Sequence, residues 1–167
     1  MEVGLSLGSC LGDRLAHLRA ARRAVAALPG VREVAASAIY ETEPVGVKAE
    51  FAHLAYLNAV LILESGVTPE ILRAALGEIE TRAGRVRGAD RFAPRTLDID
   101  ILYAGAERHA TPALTVPHPR WAERRFVVQP LADVRPDLVL PGSTRTVAAQ
   151  LAALSETPAV RLFTRDW

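Results

Sequence analysis

The stretch RTLDIDILYA, Arg95–Ala104, constrains this chain more than any other. Leucine and isoleucine mark it as a buried strand, yet Asp98 and Asp100 stand in its middle. Side chains at i and i+2 of a strand share a face. The two aspartates therefore stand side by side, and Leu97, Ile99 and Ile101 face the opposite way. Adjacent carboxylates repel, and each is costly to desolvate unless something compensates it. Any fold that accepts this strand must bring positive charge to it. Between Arg82 and Arg95 the chain carries five arginines against one aspartate. Arginine's planar fork matches phosphate oxygens two at a time. The other compensator is a divalent cation: one or two carboxylates, water and phosphate oxygens form the usual magnesium shell. Asp-x-Asp alone also suits a solvated sheet face or structural arginine pairs. The arginine-rich, glycine-containing segment beside it favours magnesium with a nucleotide phosphate.

The rest of the chain reads as one α+β domain. VGLSLGS, from Val3, alternates as a strand. Asp13 caps a helix with Leu15, Leu18, Val25 and Leu28 on one face, stopped by Pro29-Gly30. A strand is expected over residues 31–43, ending at Pro44, and a second over Tyr56–Ser65, with a mobile loop between them. Thr68-Pro69-Glu70 opens a helix whose buried stripe is Ile71, Leu72, Ala75, Leu76 and Ile79. The strand from Thr96 to Ala104 follows. This is the β-α-β-β-α-β order of a ferredoxin-like sandwich, a mostly antiparallel sheet between helices. The proline-rich remainder adds a short extension: short helices, one of them over Thr146–Leu154, and a last strand over Ala159–Phe163.

Composition narrows the function classes. The 167 residues hold a single cysteine, Cys10, so neither an internal disulfide nor a cysteine metal cluster can form. A formal net charge of +1 gives no general attraction to nucleic acid or membrane. No apolar run approaches the ~18 residues of a membrane helix, and the start lacks the pattern of a signal peptide. A soluble cytoplasmic protein is expected. No Walker-type or dinucleotide-type glycine loop is present, so nucleotide phosphates must be held by side chains and metal. Asn58, inside an apolar strand, needs a hydrogen-bonding partner. Tyr56 and Phe126 suit either core packing or stacking on a flat ring. His118 sits between two prolines that restrict its backbone.

LGSCLGD, YETEPVG, YLNAV, GRVRGADRFAPRTLDIDIL and VPHPRWAERRFVVQPL occur in the order and approximate spacing found in 6-hydroxymethyl-7,8-dihydropterin pyrophosphokinases, and the chain resembles that family as far as about Pro136. The resemblance implies transfer of the β,γ-pyrophosphoryl group of ATP to the pterin hydroxymethyl, release of AMP, and two Mg2+ ions, within folate biosynthesis. It implies that Asp98 and Asp100 bind metal, and that Arg85 and Arg95 engage the phosphates during transfer. Arg87 and Arg91 would close over ATP, with Ile101, Thr115, His118 and Arg124 forming the rest of its site. Thr42, Glu43, Val45, Tyr56, Asn58, Phe92 and Phe126 would bind the pterin. Loops around Lys48 and Gly88 would order on ligand binding, in a protein expected to be monomeric. Three positions depart from the pattern: Cys10 replaces the usual Asn, Phe92 a common Trp, and Glu43 a proline of some members. Three rivals remain at this stage. They are a ferredoxin-like RNA-binding module, which Asp98 and Asp100 would repel, a non-catalytic phosphate-binding domain, and a phosphotransferase that releases ADP.

Overall fold

A computed structural model describes residues 1–44, 49–51, 53–84 and 94–167. In chain order the elements are β1 (Glu2–Ser9), α1 (Arg14–Ala26), β2 (Val31–Ala36), β3 (Ile39–Thr42), β4 (Tyr56–Ser65) and α2 (Pro69–Arg82). Then come β5 (Asp98–Ala104), β6 (His109–Ala110), β7 (Thr115–Val116), α3 (Arg125–Val134), α4 (Val147–Ala153) and β8 (Val160–Thr164). The main sheet runs β5-β1-β4-β3-β8, with β2 also on β4, and all its pairings are antiparallel. β6 and β7 form a separate two-stranded ribbon.

Local chemistry accounts for the helix starts. The Asp13 carboxylate accepts the Ala16 N–H at 3.0 Å, and the Thr68 hydroxyl caps α2 ahead of Pro69. The central strand β4 is apolar on both faces, as a strand covered from both sides must be. Leu61 and Leu63 pack with α1 and α2 through Leu18, Val25, Leu72 and Leu76. Val60 and Ile62 pack with α3 and α4 through Val127, Val128, Leu131 and Val147.

Two expectations change. The strand over residues 31–43 is two strands, β2 and β3, both on β4. The break falls at Ser37, whose hydroxyl donates to Ala38 O at 2.7 Å and accepts the Val60 N–H at 2.8 Å. A side-chain hydroxyl there serves part of the ladder, and the strand changes register around it. The stripe of α2 is also rotated: Ile71 is 58% exposed, and Glu80 is buried beside Leu72, Leu76 and Ile79.

The pairing of β5 with β1 carries a bulge. Leu5 faces Ile101 and Gly4 faces Tyr103, which leaves Leu102 as the extra residue. Gly4 is required by this approach, because a Cβ there would lie 2.2 Å from Tyr103 Cε1. Tyr103 is anchored from the other end, donating its hydroxyl to Glu2 Oε1 at 2.7 Å. Gly4→Ala is expected to destabilise the protein by about 1–3 kcal/mol, the usual cost of overpacking a core. Urea unfolding checks this, and an unchanged midpoint would contradict it.

Candidate active site

The site is built along one row of the sheet. Tyr40 of β3 faces Asn58 of β4, Asn58 faces Gly8 of β1, and Gly8 faces Asp98 of β5. The next row places Ser6 against both Val60 and Asp100. Facing residues in an antiparallel sheet point to the same side. Asn58, Asp98 and Asp100 therefore share the face covered farther along by α3. With strands ~4.8 Å apart, two strand spacings put Asn58 about 10 Å from Asp98. Gly8 lies between them and has no side chain, which leaves the floor open. Two residues from Asn58 on the same face stands Tyr56, opposite Thr42.

The Asn58 side of the row is a polar pocket in an apolar strand. Asn58 and Thr42 are each 4% exposed, and Asn58 Nδ2 donates to Thr42 Oγ1 at 2.8 Å. That bond fixes the amide, with its Oδ1 lying toward Gly8. Tyr56 is half-buried; burial, then its contact with the Cys10 thiol, holds its hydroxyl well above the ordinary phenol range. Glu43 is exposed just beyond β3.

The acid side is held from several directions. Asp98 Oδ2 lies 3.0 Å from Arg95 Nη1. The backbone of Arg95 is clamped by Cys10, whose N–H donates to Arg95 O at 3.2 Å and whose Sγ accepts the Arg95 N–H at 3.3 Å. Ser9 Oγ donates to Thr96 O at 2.6 Å. Thus the end of β1 ties down the approach to β5. Burial, then the neighbouring Asp98, pushes the Asp100 carboxyl above the usual range; His118, Arg73 and Arg124 oppose this only in part. Burial and mutual repulsion thus disfavour the ionised acid pair. Two hard oxygen donors side by side on one face fit Mg2+ completed by water and phosphate. Among the described residues no set of three or more metal-ligating side chains forms.

His118 and Arg124 reach the same place from the far side of β5. The His118 N–H donates to Leu102 O at 2.8 Å, and its Nδ1 accepts the Arg120 N–H at 3.1 Å. That second bond leaves the ring hydrogen on Nε2 in the neutral form. Burial lowers the His118 pKa against the pull of Asp100. Arg124 is the residue before α3, and its guanidinium lies 5.7 Å from the Phe126 ring centre. Phe126 in turn packs against the α3–α4 core. Of the other expected residues, Thr115 is exposed on β7, while Ile101 is 4% exposed in the core on the opposite face from the acids. Val45, Arg85, Arg87, Arg91 and Phe92 lie outside the described residues, as do Lys48 and Gly88. A groove of about 750 Å³ runs along α2 past Arg73, Gly77 and Thr81, and Pro112 and Ala113 close it.

The sequence reading passed over three contributors: Cys10 as a backbone clamp, Arg73, and the buried Glu80. The signal for Glu80 was present, because position 80 is eight residues after Leu72 and falls on the apolar stripe.

The fold and this cluster define an α+β protein whose paired carboxylates and opposing cations suit a polyanionic, metal-chelating substrate. Residues 4–136 match the family described as 7,8-dihydro-6-hydroxymethylpterin-pyrophosphokinase (HPPK). The chain is 43% identical over 141 residues to the 2-amino-4-hydroxy-6-hydroxymethyldihydropteridine pyrophosphokinase of Methylorubrum extorquens, covering 84% of this chain and 86% of that protein. It is 41% identical to the Pseudomonas aeruginosa protein of the same name, covering 84% of each. The fold is shared with a crystal structure of HPPK-DHPS in complex with substrates, at a TM-score of 0.68 and 11% identity. That match covers 90% of this chain and 42% of the other, so the chain spans less than half the length of that solved neighbour. The chain belongs to the 7,8-dihydro-6-hydroxymethylpterin-pyrophosphokinase family. It is a diphosphotransferase that moves a pyrophosphoryl group to hydroxymethyldihydropterin in folate biosynthesis.

Proposed function

We propose that the row Asn58–Gly8–Asp98 is the track of this transfer, with the pterin on the Asn58 side and the ATP triphosphate on the aspartate side. The observation that carries the assignment is the shared face: a polar, amide-bearing pocket and an acid pair, separated by a glycine and about 10 Å. The pterin's amide-like edge meets Asn58 and Thr42, and its ring lies by Tyr56 and Phe126, with Glu43 at the margin; Val45 and Phe92 are assigned to the pterin on the family motif alone. The substrate hydroxyl attacks the β-phosphorus of ATP, the bond from that phosphorus to the α-phosphate oxygen breaks, and AMP leaves. The hydroxyl proton passes to solvent water in the same step, so the products are the pterin diphosphate, AMP and a proton.

Asp98 and Asp100 would hold Mg2+, which when bound neutralises phosphate charge and makes phosphorus more electrophilic. Two ions are proposed. The remaining work belongs to side chains, since such transfers depend on positioning and charge more than on covalent help. Arg95 and Arg85 meet the phosphate oxygens. Neutral His118 donates from Nε2, Arg124 adds a cation, and Arg87 and Arg91 close over the nucleotide. Exposed Thr115 adds a hydroxyl at the edge of the nucleotide site, to which Ile101, with its side chain in the core on the opposite face, offers only its backbone. We read the β5-β1-β4-β3 order, with β2 and β3 as one interrupted strand, as a ferredoxin-like core. Action as a monomer is proposed. Among the described residues no helix is long and apolar enough to cross a membrane. A cytoplasmic location is proposed on the lone cysteine.

Incubation with ATP, Mg2+ and 6-hydroxymethyl-7,8-dihydropterin is expected to yield AMP in step with the pterin diphosphate. ADP as the product, or AMP formed without the pterin, would overturn the assignment.

A further inference from the structure

Glu80 lies on α2, outside the row described above, and the transfer needs no carboxylate there. It is 0% exposed. A buried carboxylate is costly unless it is paired and hydrogen-bonded, so the groups that hold it show what it is for. Glu80 Oε1 accepts the backbone N–H of Ile99 at 2.8 Å. Glu80 Oε2 lies 3.5 Å from Arg73 Nη1, about two turns back along α2. Ile99 is the residue between Asp98 and Asp100. Its strand, β5, ends the sheet path and pairs with β1 on one side only. An N–H on the outer side of such a strand has no ladder partner. Glu80 supplies one at the residue whose two flanking peptides set the directions of both acidic side chains. Arg73 belongs to the same arrangement through its ion pair with Glu80.

We propose that Glu80 is a positioning residue for the cation site: through the Ile99 N–H it sets the spacing and direction of the Asp98 and Asp100 carboxylates, and Arg73 holds it in place. This rests on the reading of those aspartates as metal ligands. Supporting groups of this kind typically change metal affinity by about 10–100-fold when removed.

The test uses Mn2+ as the probe, titrated by electron paramagnetic resonance into the full chain with a non-hydrolysable ATP analogue. Glu80→Gln keeps an oxygen acceptor for Ile99 and gives up the charge; Glu80→Leu removes both. Glu80→Leu is expected to weaken Mn2+ binding by about 10–100-fold and to speed hydrogen exchange at the Ile99 amide. Its KM for the pterin stays within about twofold, because uniform substrate binding is untouched. Glu80→Gln is expected to retain Mn2+ binding within about threefold, well inside that range. Wild-type Mn2+ binding in Glu80→Leu overturns the proposal, and so does a Gln variant as defective as the Leu variant. If Glu80→Leu does not fold, Glu80→Asp, which draws the acceptor back by about one carbon–carbon bond, is judged by the same criterion. Asp98→Ala and Asp100→Ala run alongside. Loss of Mn2+ in them but not in Glu80→Leu refutes only the role of Glu80. Retention in both refutes the ligand reading and this inference with it.

Discussion

Asp98→Ala and Asp100→Ala are each expected to lower kcat by about 10²–10³-fold, the size of loss found when one preorganised charge-stabilising group is removed. The fold is expected to survive, because Leu97, Ile99 and Ile101, on the opposite face, carry the core packing of that strand. AMP release at saturating Mg2+ and ATP measures the effect. Near-normal magnesium-dependent turnover in both variants would reject the metal assignment. A second consequence separates function from stability. Burial and the neighbouring Asp98 raise the Asp100 pKa on folding. A carboxyl raised in this way contributes stability that is present below its unfolded-state pKa. That contribution is lost as pH climbs through the raised value, so at neutral pH the ionised group penalises the ligand-free protein. Asp100→Asn is therefore expected to raise the Tm of the ligand-free protein at neutral pH while removing activity. A lowered Tm would show that the site's arginines already overcompensate the charge.

Arg95→Ala is the second large effect expected. The guanidinium is 3.0 Å from Asp98 Oδ2, and its backbone is gripped by Cys10 from both the N–H and the carbonyl side. A cation held this firmly beside the acid pair is placed to meet charge that develops during transfer, more than to bind the pterin. The expected result is a fall in kcat of about 10²-fold or more, with the KM for the pterin within about threefold. Arg95→Lys is expected to recover only part of the rate, since an ammonium lacks the planar fork. An unchanged kcat in Arg95→Ala would remove it from the catalytic set. A rise in KM alone would make it a binding residue.

Much of the site was legible before any coordinates. The i, i+2 rule alone places Asp98 and Asp100 on one face opposite Leu97, Ile99 and Ile101, and all three of those are buried in the core beneath α1 and α2. A buried amide at Asn58 demanded a partner, and Thr42 is that partner. What could not be read was anything that depends on a neighbour distant in sequence. The interruption at Ser37 arises because its hydroxyl meets the Val60 N–H. The exposure of Ile71 reflects which arc of α2 the sheet edge covers, and periodicity alone fixes that arc only to within a residue or so.

The chain's own chemistry determined the elements and their starts: a carboxylate caps α1, Thr68-Pro69 opens α2, and a doubly apolar run must be a strand covered on both sides. It also determined that two acids would share a face and need positive charge. Only the tertiary structure decided where those acids sit relative to Asn58 and which group reaches Ile99. Strand register, and contacts between an edge strand and a helix, are set by partners tens of residues away, whose positions no local pattern encodes.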